Sequence, residues 1–327
     1  MILVTGGAGY IGSHTVKELL KQKYQVVTLD NLENGYRKAV VGGEFIKCDL
    51  RDKEQLDKVF RKYPIDSVMH FAAYASVPDS VLNPAKYFDN NLTAGLNLLN
   101  AMLAAGVSEI VFSSSAAVYG ESKKIPIKED NVKCPTSSYG LSKLQFEQIL
   151  YFYDKAYRIK SVSLRYFCAA GADPKQEIGE SHRIETHIIP LAILTALGRR
   201  KSFQIFGTDY PTPDGTGIRD FIHVTDLANI HILALKYLDH GGETKIYNCG
   251  NKKGYSARQV LKQTKRITGT DFKIEEKSRR PGDPAILIAD SSKIEKELGW
   301  KPKYSDLKTI IETAYNWHKN NPEGFRS

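Results

Sequence analysis

Short apolar runs and helix-period stripes alternate along the first half of the chain. Ile2-Leu3-Val4-Thr5 reads as a strand, a glycine-rich turn follows, and Val16, Leu19 and Leu20 then recur at helical spacing. Gln25 to Leu29 reads as a second strand and Phe45-Ile46-Lys47 as a third. Asp52 with Gln55 resembles a capping box ahead of Leu56, Val59 and Phe60. Ser67 to Ala72 is a fourth strand, and Leu92, Leu96, Leu99 and Leu103 mark the helix after it. Glu109 to Ser113 makes a fifth strand and Lys160 to Tyr166 a sixth. Between them Phe146, Leu150, Tyr153 and Tyr157 form a helical stripe behind a Pro135-Thr136-Ser137 start signal. Strands alternating with helices predict an α/β fold with a doubly wound parallel sheet and right-handed crossovers.

Beyond Phe167 the alternation fades. Gly, Pro and Asp clusters (169–179, 208–217) separate apolar pieces such as Ile188 to Leu197, which predicts a smaller, loop-rich second domain. The expected division is 1–167 and 168–327, with residues 218–237 returning a strand and a helix to the first domain. No internal repeat is visible.

The turn after the first strand is Gly6-Gly7-Ala8-Gly9-Tyr10-Ile11-Gly12. Glycines there let the backbone approach a pyrophosphate, whose charge meets the unpaired N–H groups at the start of the helix. Asp30 ends the second strand 18 residues beyond Gly12. A carboxylate at that place accepts hydrogen bonds from an adenosine ribose and repels a 2′-phosphate, which predicts a Rossmann site for NAD rather than NADP. Ligands of such sheets bind at the carboxyl ends of the strands. Those ends carry Asp30, Asp49, Phe71-Ala72, Ser113-Ser114-Ser115 and Tyr166-Phe167.

Tyr139 and Lys143 stand four residues apart at the start of the helix marked by Phe146 and Leu150, a spacing that stacks them on one face. A phenol titrates near pH 10, so a proton-transfer role at neutral pH needs a lowering of roughly 3 pH units, about 4 kcal/mol. A neighbouring ammonium supplies part of it. The same spacing occurs at Tyr119/Lys123, Tyr151/Lys155, Tyr304/Lys308 and Tyr315/Lys319, so context has to decide among five pairs. In the second half, Arg219, Arg279 and Arg280 suit a substrate diphosphate through forked hydrogen bonds.

Composition narrows the classes. The chain has 327 residues, 42% hydrophobic and 25% charged, with a net charge of +9. That charge suits an anionic ligand, but no basic block with interleaved aromatics points to nucleic acid. Cys48, Cys134, Cys168 and Cys249 show neither paired Cys-x-x-Cys nor a Cys/His spacing for metal, so free thiols in a reducing compartment and no metal are expected. No leader and no run of about 18 apolar residues is present, so a soluble cytoplasmic protein without membrane contact is expected.

Thr5-Gly-Gly-Ala-Gly-Tyr-Ile-Gly12, Ser113-Ser-Ser-Ala-Ala-Val-Tyr-Gly120 and Tyr139-Gly-Leu-Ser-Lys143 resemble the extended short-chain dehydrogenase/reductases. The run from Ile205 to Val224 and Arg279-Arg-Pro-Gly-Asp283 narrow the resemblance, which is nearly end to end, to their UDP-hexose 4-epimerases. It implies interconversion of UDP-galactose and UDP-glucose through a 4-keto sugar with tightly held NAD. Tyr139 would take the proton of the 4-hydroxyl, Ser115 would hydrogen-bond the 4-oxygen, and Lys143 would lower the tyrosine's pKa. For NAD the resemblance implies Gly6, Gly9, Tyr10, Ile11, Gly12, Asp30, Asn31, Asn34, Asp49, Leu50, Phe71, Ala72, Asn90, Tyr166 and Phe167 as well as Tyr139 and Lys143. For UDP-sugar it implies Ser115, Cys168, His187, Phe206, Arg219, Arg280, Asp283 and Leu287. Arg219 and Arg280 would meet the diphosphate, Asp283 the ribose and Phe206 the uracil. A homodimer packing Leu92 to Leu103 and Phe146 to Tyr157 is also implied.

Some positions depart from the family's common pattern. Cys168 and His187 stand where asparagine is common, and Phe221 where tyrosine is. Leu287 falls where tyrosine confines the pocket to plain hexoses and a small residue admits N-acetylhexosamines, so side activity on UDP-GlcNAc and UDP-GalNAc is expected. Alternatives are a 4-epimerase of UDP-pentoses or UDP-uronic acids and a non-catalytic NAD-sensing protein. A sugar-nucleotide 4,6-dehydratase is disfavoured because Ala116-Ala117 replaces its Asp-Glu pair.

Overall fold

The computed structural model describes residues 1–280 and 283–325. Pro281 and Gly282 of the second diagnostic run lie outside the described residues. In chain order the first half comprises β1 (Ile2–Thr5), α1 (Tyr10–Lys21), β2 (Val26–Asp30), β3 (Glu44–Lys47), α2 (Lys53–Lys62) and β4 (Ser67–His70). It continues with α3 (Val77–Leu82), α4 (Pro84–Phe88), α5 (Ala94–Ala105), β5 (Glu109–Ser115), α6 (Ser138–Tyr157) and β6 (Lys160–Tyr166). The second half comprises β7 (Cys168–Ala170), α7 (Ile188–Ala196), β8 (Phe203–Phe206), β9 (Ile218–His223), α8 (Val224–Asp239) and β10 (Lys245–Cys249). Last come β11 (Gly254–Ser256), α9 (Ala257–Thr268), β12 (Ile274–Lys277), β13 (Ile286–Leu287), α10 (Ser292–Leu298) and α11 (Leu307–Asn320).

Seven strands form one parallel sheet in the order β10-β6-β5-β4-β1-β2-β3. Its strands are apolar on both faces because both are covered. Val4, Val26, Met69, Val111 and Val162 pack with Val16, Leu19, Leu227, Ile230 and Leu235 of α1 and α8. Leu3, Val27, Val68 and Ile110 pack on the other side with Leu56, Leu98, Leu99, Phe146 and Leu150 of α2, α5 and α6. Burial on two sides is what an all-parallel sheet requires. The strand order reverses between β1 and β4, and a crevice opens at their carboxyl ends.

The structure corrects the expected return of residues 218–237. Helix α8 does pack on the large sheet, but β9 joins a small sheet with β7, β11 and β13. The seventh strand of the large sheet is β10, which pairs with β6 from Lys245↔Val162 to Cys249↔Tyr166. A five-residue Lys-Ile-Tyr-Asn-Cys segment carries little periodic signal, and it becomes a strand because the edge of β6 is free to pair. The capping box at α2 is also only half formed: Asp52 accepts from the Gln55 N–H, while the Gln55 side chain donates to Lys47 O. Among the described residues no helix is long and apolar enough to cross a membrane.

Candidate active site

The turn between β1 and α1 is tight because Gly6 sits at φ +73° with its Cα against the next strand's exit. A Cβ there would lie 2.5 Å from Ala72 N. Asp30 latches this turn from the end of β2, accepting hydrogen bonds from Ala8 N–H at 3.0 Å and Leu32 N–H at 2.8 Å. Burial pushes its carboxyl up, and those two bonds pull it back. A cleft with about 660 Å³ of empty space runs from here, lined by Gly6, Gly9, Asp30, Asn31, Asn34, Asp49, Leu50, Phe71, Ala72 and Asn90. Asn31 donates to Asp49 at 2.9 Å, and hydrogen bonds from the Arg51 guanidinium hold the Asp49 carboxyl well below the usual carboxylate range. Asn90 lies in a single π-helical turn, Asp89–Thr93, between α4 and α5. Such turns redirect side chains toward functional clefts.

Tyr10 and Ile11 face elsewhere. The Tyr10 hydroxyl donates to Gly171 O at 2.6 Å, and Ile11 packs on the sheet core. What they offer an anion is the backbone of the first turn of α1. Sequence reasoning passed over Tyr74, which lines the same cleft and donates from its hydroxyl to Glu33 at 2.6 Å. Its position just past β4, at the carboxyl edge, was the available signal.

Ser137 caps α6 by accepting from Gly140 N–H at 3.2 Å, which fixes Tyr139 in the first turn. Gly140 permits the approach of α6 to the turn at Ala116–Tyr119, since a Cβ would sit 2.5 Å from Ala117 O. Burial pushes the Tyr139 phenol up, and the neighbouring Ser115 hydroxyl pulls it down. Ser115 Oγ accepts from Ala117 N–H at 3.1 Å, which leaves its own proton available to a neighbouring oxygen. Lys143 Nζ donates to Ser113 O at 2.7 Å and lies 5.9 Å from the Tyr139 ring centroid. Burial pushes the Lys143 ammonium down to about 7, partly offset by Glu147.

The other four Tyr/Lys pairs differ. Tyr119 spends its hydroxyl on Asn248 and receives Arg165. Tyr151 is exposed, and the Tyr315/Lys319 and Tyr151/Lys155 pairs are stacked contacts on helix surfaces. Tyr304 packs its ring on His223, away from the cleft. Of the five pairs, Tyr139/Lys143 is the one with a buried lysine, at the carboxyl end of β5.

Beneath this group lies a buried ionic network. Arg165 donates to Glu147 at 2.9 and 2.6 Å, to Tyr119 Oη at 2.7 Å and to Glu129 O at 3.0 Å, while Ser114 Oγ donates to Glu147 at 2.5 Å. It braces β5 and β6 where Ser115 pairs in register with Tyr166. The Tyr166 hydroxyl is engaged with His231, and Phe167 packs with Leu144 and Leu287.

Across the cleft, Arg219 on β9 is ion-paired with Asp283, and Leu287 on β13 lies beside Arg219 in register. The Arg280 guanidinium stacks 4.0 Å from the Phe206 ring centroid. Arg279, by contrast, is paired with Asp209. Burial pushes the Cys168 thiol up to about 11, partly offset by Arg219, so it stays protonated at neutral pH. Phe221 lies in the core of the second half with Ile189 and Ile310. His187 precedes α7 and is bonded to Glu180 at 2.5 Å.

A half-buried tyrosine and serine with a buried lysine at the carboxyl edge of a seven-stranded parallel sheet, beside a glycine turn latched by an aspartate, define a nucleotide-dependent α/β enzyme. The family model for the NAD dependent epimerase/dehydratase family matches residues 2–250, and the chain belongs to that family. It is similar to the UDP-glucose 4-epimerase of Lacticaseibacillus casei, 52% identical over 325 residues, covering 99% of this chain and 98% of the relative. The UDP-glucose 4-epimerase from Bifidobacterium longum, solved in complex with NAD+ and UDP, has a TM-score of 0.94 at 40% identity and 99% coverage of both chains. The UDP-Glc/GlcNAc 4-epimerase from Campylobacter jejuni has a TM-score of 0.85 at 40% identity, covering 98% of this chain and 99% of that one.

Proposed function

We propose that the chain is an NAD-dependent sugar-nucleotide 4-epimerase that interconverts UDP-galactose and UDP-glucose. The observation that carries the reading is the Ser115–Tyr139–Lys143 group, half-buried at the serine and tyrosine and buried at the lysine, at the strand ends with the Asp30 cleft. The residues present fit NAD: Gly6 and Gly9 put the bare backbone of the turn on the cleft at the start of α1, where a pyrophosphate binds, and the Asp30 carboxylate repels a 2′-phosphate. Asn31, Asn34, Asp49 and Leu50 would take the adenosine end and Phe71, Ala72 and Asn90 the inner half, with Tyr166 and Phe167 walling it. When bound, NAD supplies the hydride acceptor and donor for C4 and a positive charge near the phenol.

Tyr139 as phenolate would remove the proton of the sugar 4-hydroxyl, and return it to the opposite face after the 4-keto sugar has turned. Burial alone works against the phenolate, so the cationic surroundings, Lys143 among them, have to overcome it. Ser115 stabilises the phenolate oxygen and relays the proton. Arg219 and Arg280 would hold the diphosphate, Asp283 the ribose, and Phe206, stacked under Arg280, the uracil. Cys168 and His187 would border this end, and Leu287 the sugar. Opening the Arg219–Asp283 pair would free both partners for the nucleotide.

Residues 1–167 with α8 and β10 serve as the cofactor unit and the remainder as the substrate unit. Leu103, Tyr151, Phe152 and Tyr157 are exposed on α5 and α6, an apolar surface that favours a homodimer through these helices. A cytoplasmic setting agrees with four free cysteines.

The test is purified protein, with no NAD added, incubated with UDP-galactose and assayed after quenching with a UDP-glucose-specific dehydrogenase. Conversion is expected, and its loss in Tyr139→Phe. No conversion even with NAD supplied overturns the reading.

A further inference from the structure

The segment leading into α7 gathers Glu180, His182, Glu185 and His187 into one cluster. Each offers one ligand atom, and the four atoms lie within 4.8 Å of one another. Glu180 Oε1 is 2.5 Å from His187 Nδ1 and 3.1 Å from His182 Nδ1. Glu185 closes the group, with Oε2 3.4 Å from His182 Nδ1 and Oε1 3.5 Å from His187 Nδ1.

These separations have a meaning for coordination. A tetrahedral zinc ion with bonds of about 2.0–2.1 Å to nitrogen and oxygen sets its ligand atoms roughly 3.3 Å apart. The two contacts of His182, with Glu180 Oε1 and Glu185 Oε2, are near that edge length, and the Glu180–His187 contact needs to open by only about 0.8 Å to reach it. The orientation is supported from outside, as ligands to structural metals usually are. Glu185 Oε1 accepts from the backbone N–H groups of Thr186 at 2.7 Å and His187 at 2.8 Å. That leaves Oε2 directed at the cluster. Glu180 is anchored through its carbonyl oxygen, which accepts from Trp317 Nε1 at 3.1 Å. Its side chain is 3% exposed, and a carboxylate so buried requires a cation. Two imidazoles with two carboxylates suit a borderline ion of the zinc class better than magnesium or calcium.

We propose that Glu180, His182, Glu185 and His187 bind one divalent transition-metal ion of the zinc class. The ion would fix the segment before α7 against the cofactor turn, because the His182 ring packs edge-on against Tyr10 at 6.1 Å. This gives His187 a task apart from the nucleotide. The cluster escapes a search for Cys/His spacing because half its donors are carboxylates.

The NAD-loaded protein, stripped with a chelator and desalted, would be titrated with CoCl2 and then ZnCl2. The expected result is one equivalent of cobalt per chain with the intense visible band of tetrahedral coordination, displaced by zinc, and a raised thermal midpoint. His182→Gln and Glu185→Gln should each weaken binding by about 10- to 100-fold. His182 is a third exposed, so its substitution tests the site with least disturbance of folding. Absence of saturable one-equivalent binding would leave a metal-free network of protonated imidazoles and carboxylates and overturn the proposal. Binding unchanged in both variants would also overturn it.

Discussion

The Lys143 ammonium donates to the carbonyl oxygen of Ser113 at 2.7 Å, tying the first turns of α6 to the carboxyl end of β5. Through this bond the helix that carries Tyr139 is held against the strand that carries Ser115. The charge is kept where burial disfavours it, at a cost to stability.

That cost has a pH signature. Lys143 is pushed down to about 7 in the folded chain, whereas an unfolded lysine titrates near pH 10.4. Between these values the unfolded state binds more protons, so this group makes stability rise with pH from about 7 toward 10. Lys143→Met removes that slope. Its melting temperature relative to wild type should be highest near pH 7 and the difference should shrink by pH 9.5, while epimerisation falls at least about tenfold. Parallel melting curves across this range would show that burial does not perturb the lysine.

The Ser115 hydroxyl neighbours the Tyr139 phenol, and its oxygen accepts from Ala117 N–H. Ser115→Ala should lower kcat by about 10- to 100-fold and leave KM nearly unchanged. A change confined to KM would assign Ser115 to substrate binding alone.

Arg165 and Glu147 are 2% and 3% exposed, and the pair is satisfied by Tyr119, Ser114 and Glu129. Glu147→Gln leaves the guanidinium buried without its counter-charge. Denaturant unfolding should show a loss of about 3–5 kcal/mol. A loss under about 1 kcal/mol would mean that the network is redundant.

Leu287 is half-buried beside Phe167 and Leu144, next to Arg219. It leaves more room than tyrosine, so the wild type should epimerise UDP-N-acetylglucosamine measurably, and Leu287→Tyr should suppress that activity while sparing UDP-galactose. Wild-type turnover restricted to UDP-galactose and UDP-glucose would make Leu287 a packing residue only.

Leu103 is 40% exposed on α5. If the proposed dimer forms through this face, Leu103→Asp should leave a 36.6 kDa monomer by light scattering. An unchanged mass would remove this face from any interface.

The sheet was legible because its strands are short apolar runs covered on both faces, and because helices with clear stripes separate them. The cofactor cleft was legible for a related reason: its glycines and Asp30 sit at fixed distances along one βαβ unit, where local geometry decides position. Tyr139 needed its helix start to stand apart from four pairs of equal spacing.

Residues that are distant in sequence were another matter. The chain by itself determined the α/β alternation, the glycine turn with Asp30, and the helical stacking of Tyr139 on Lys143, since all depend on local periodicity. Only the tertiary structure decided that β10 rather than β9 completes the large sheet, that Arg165 meets Glu147 beneath the serines, and that Arg219 is paired with Asp283. Strand pairing and buried charge pairs depend on which edges and which unpaired groups remain once the rest has packed, and no local pattern carries that information.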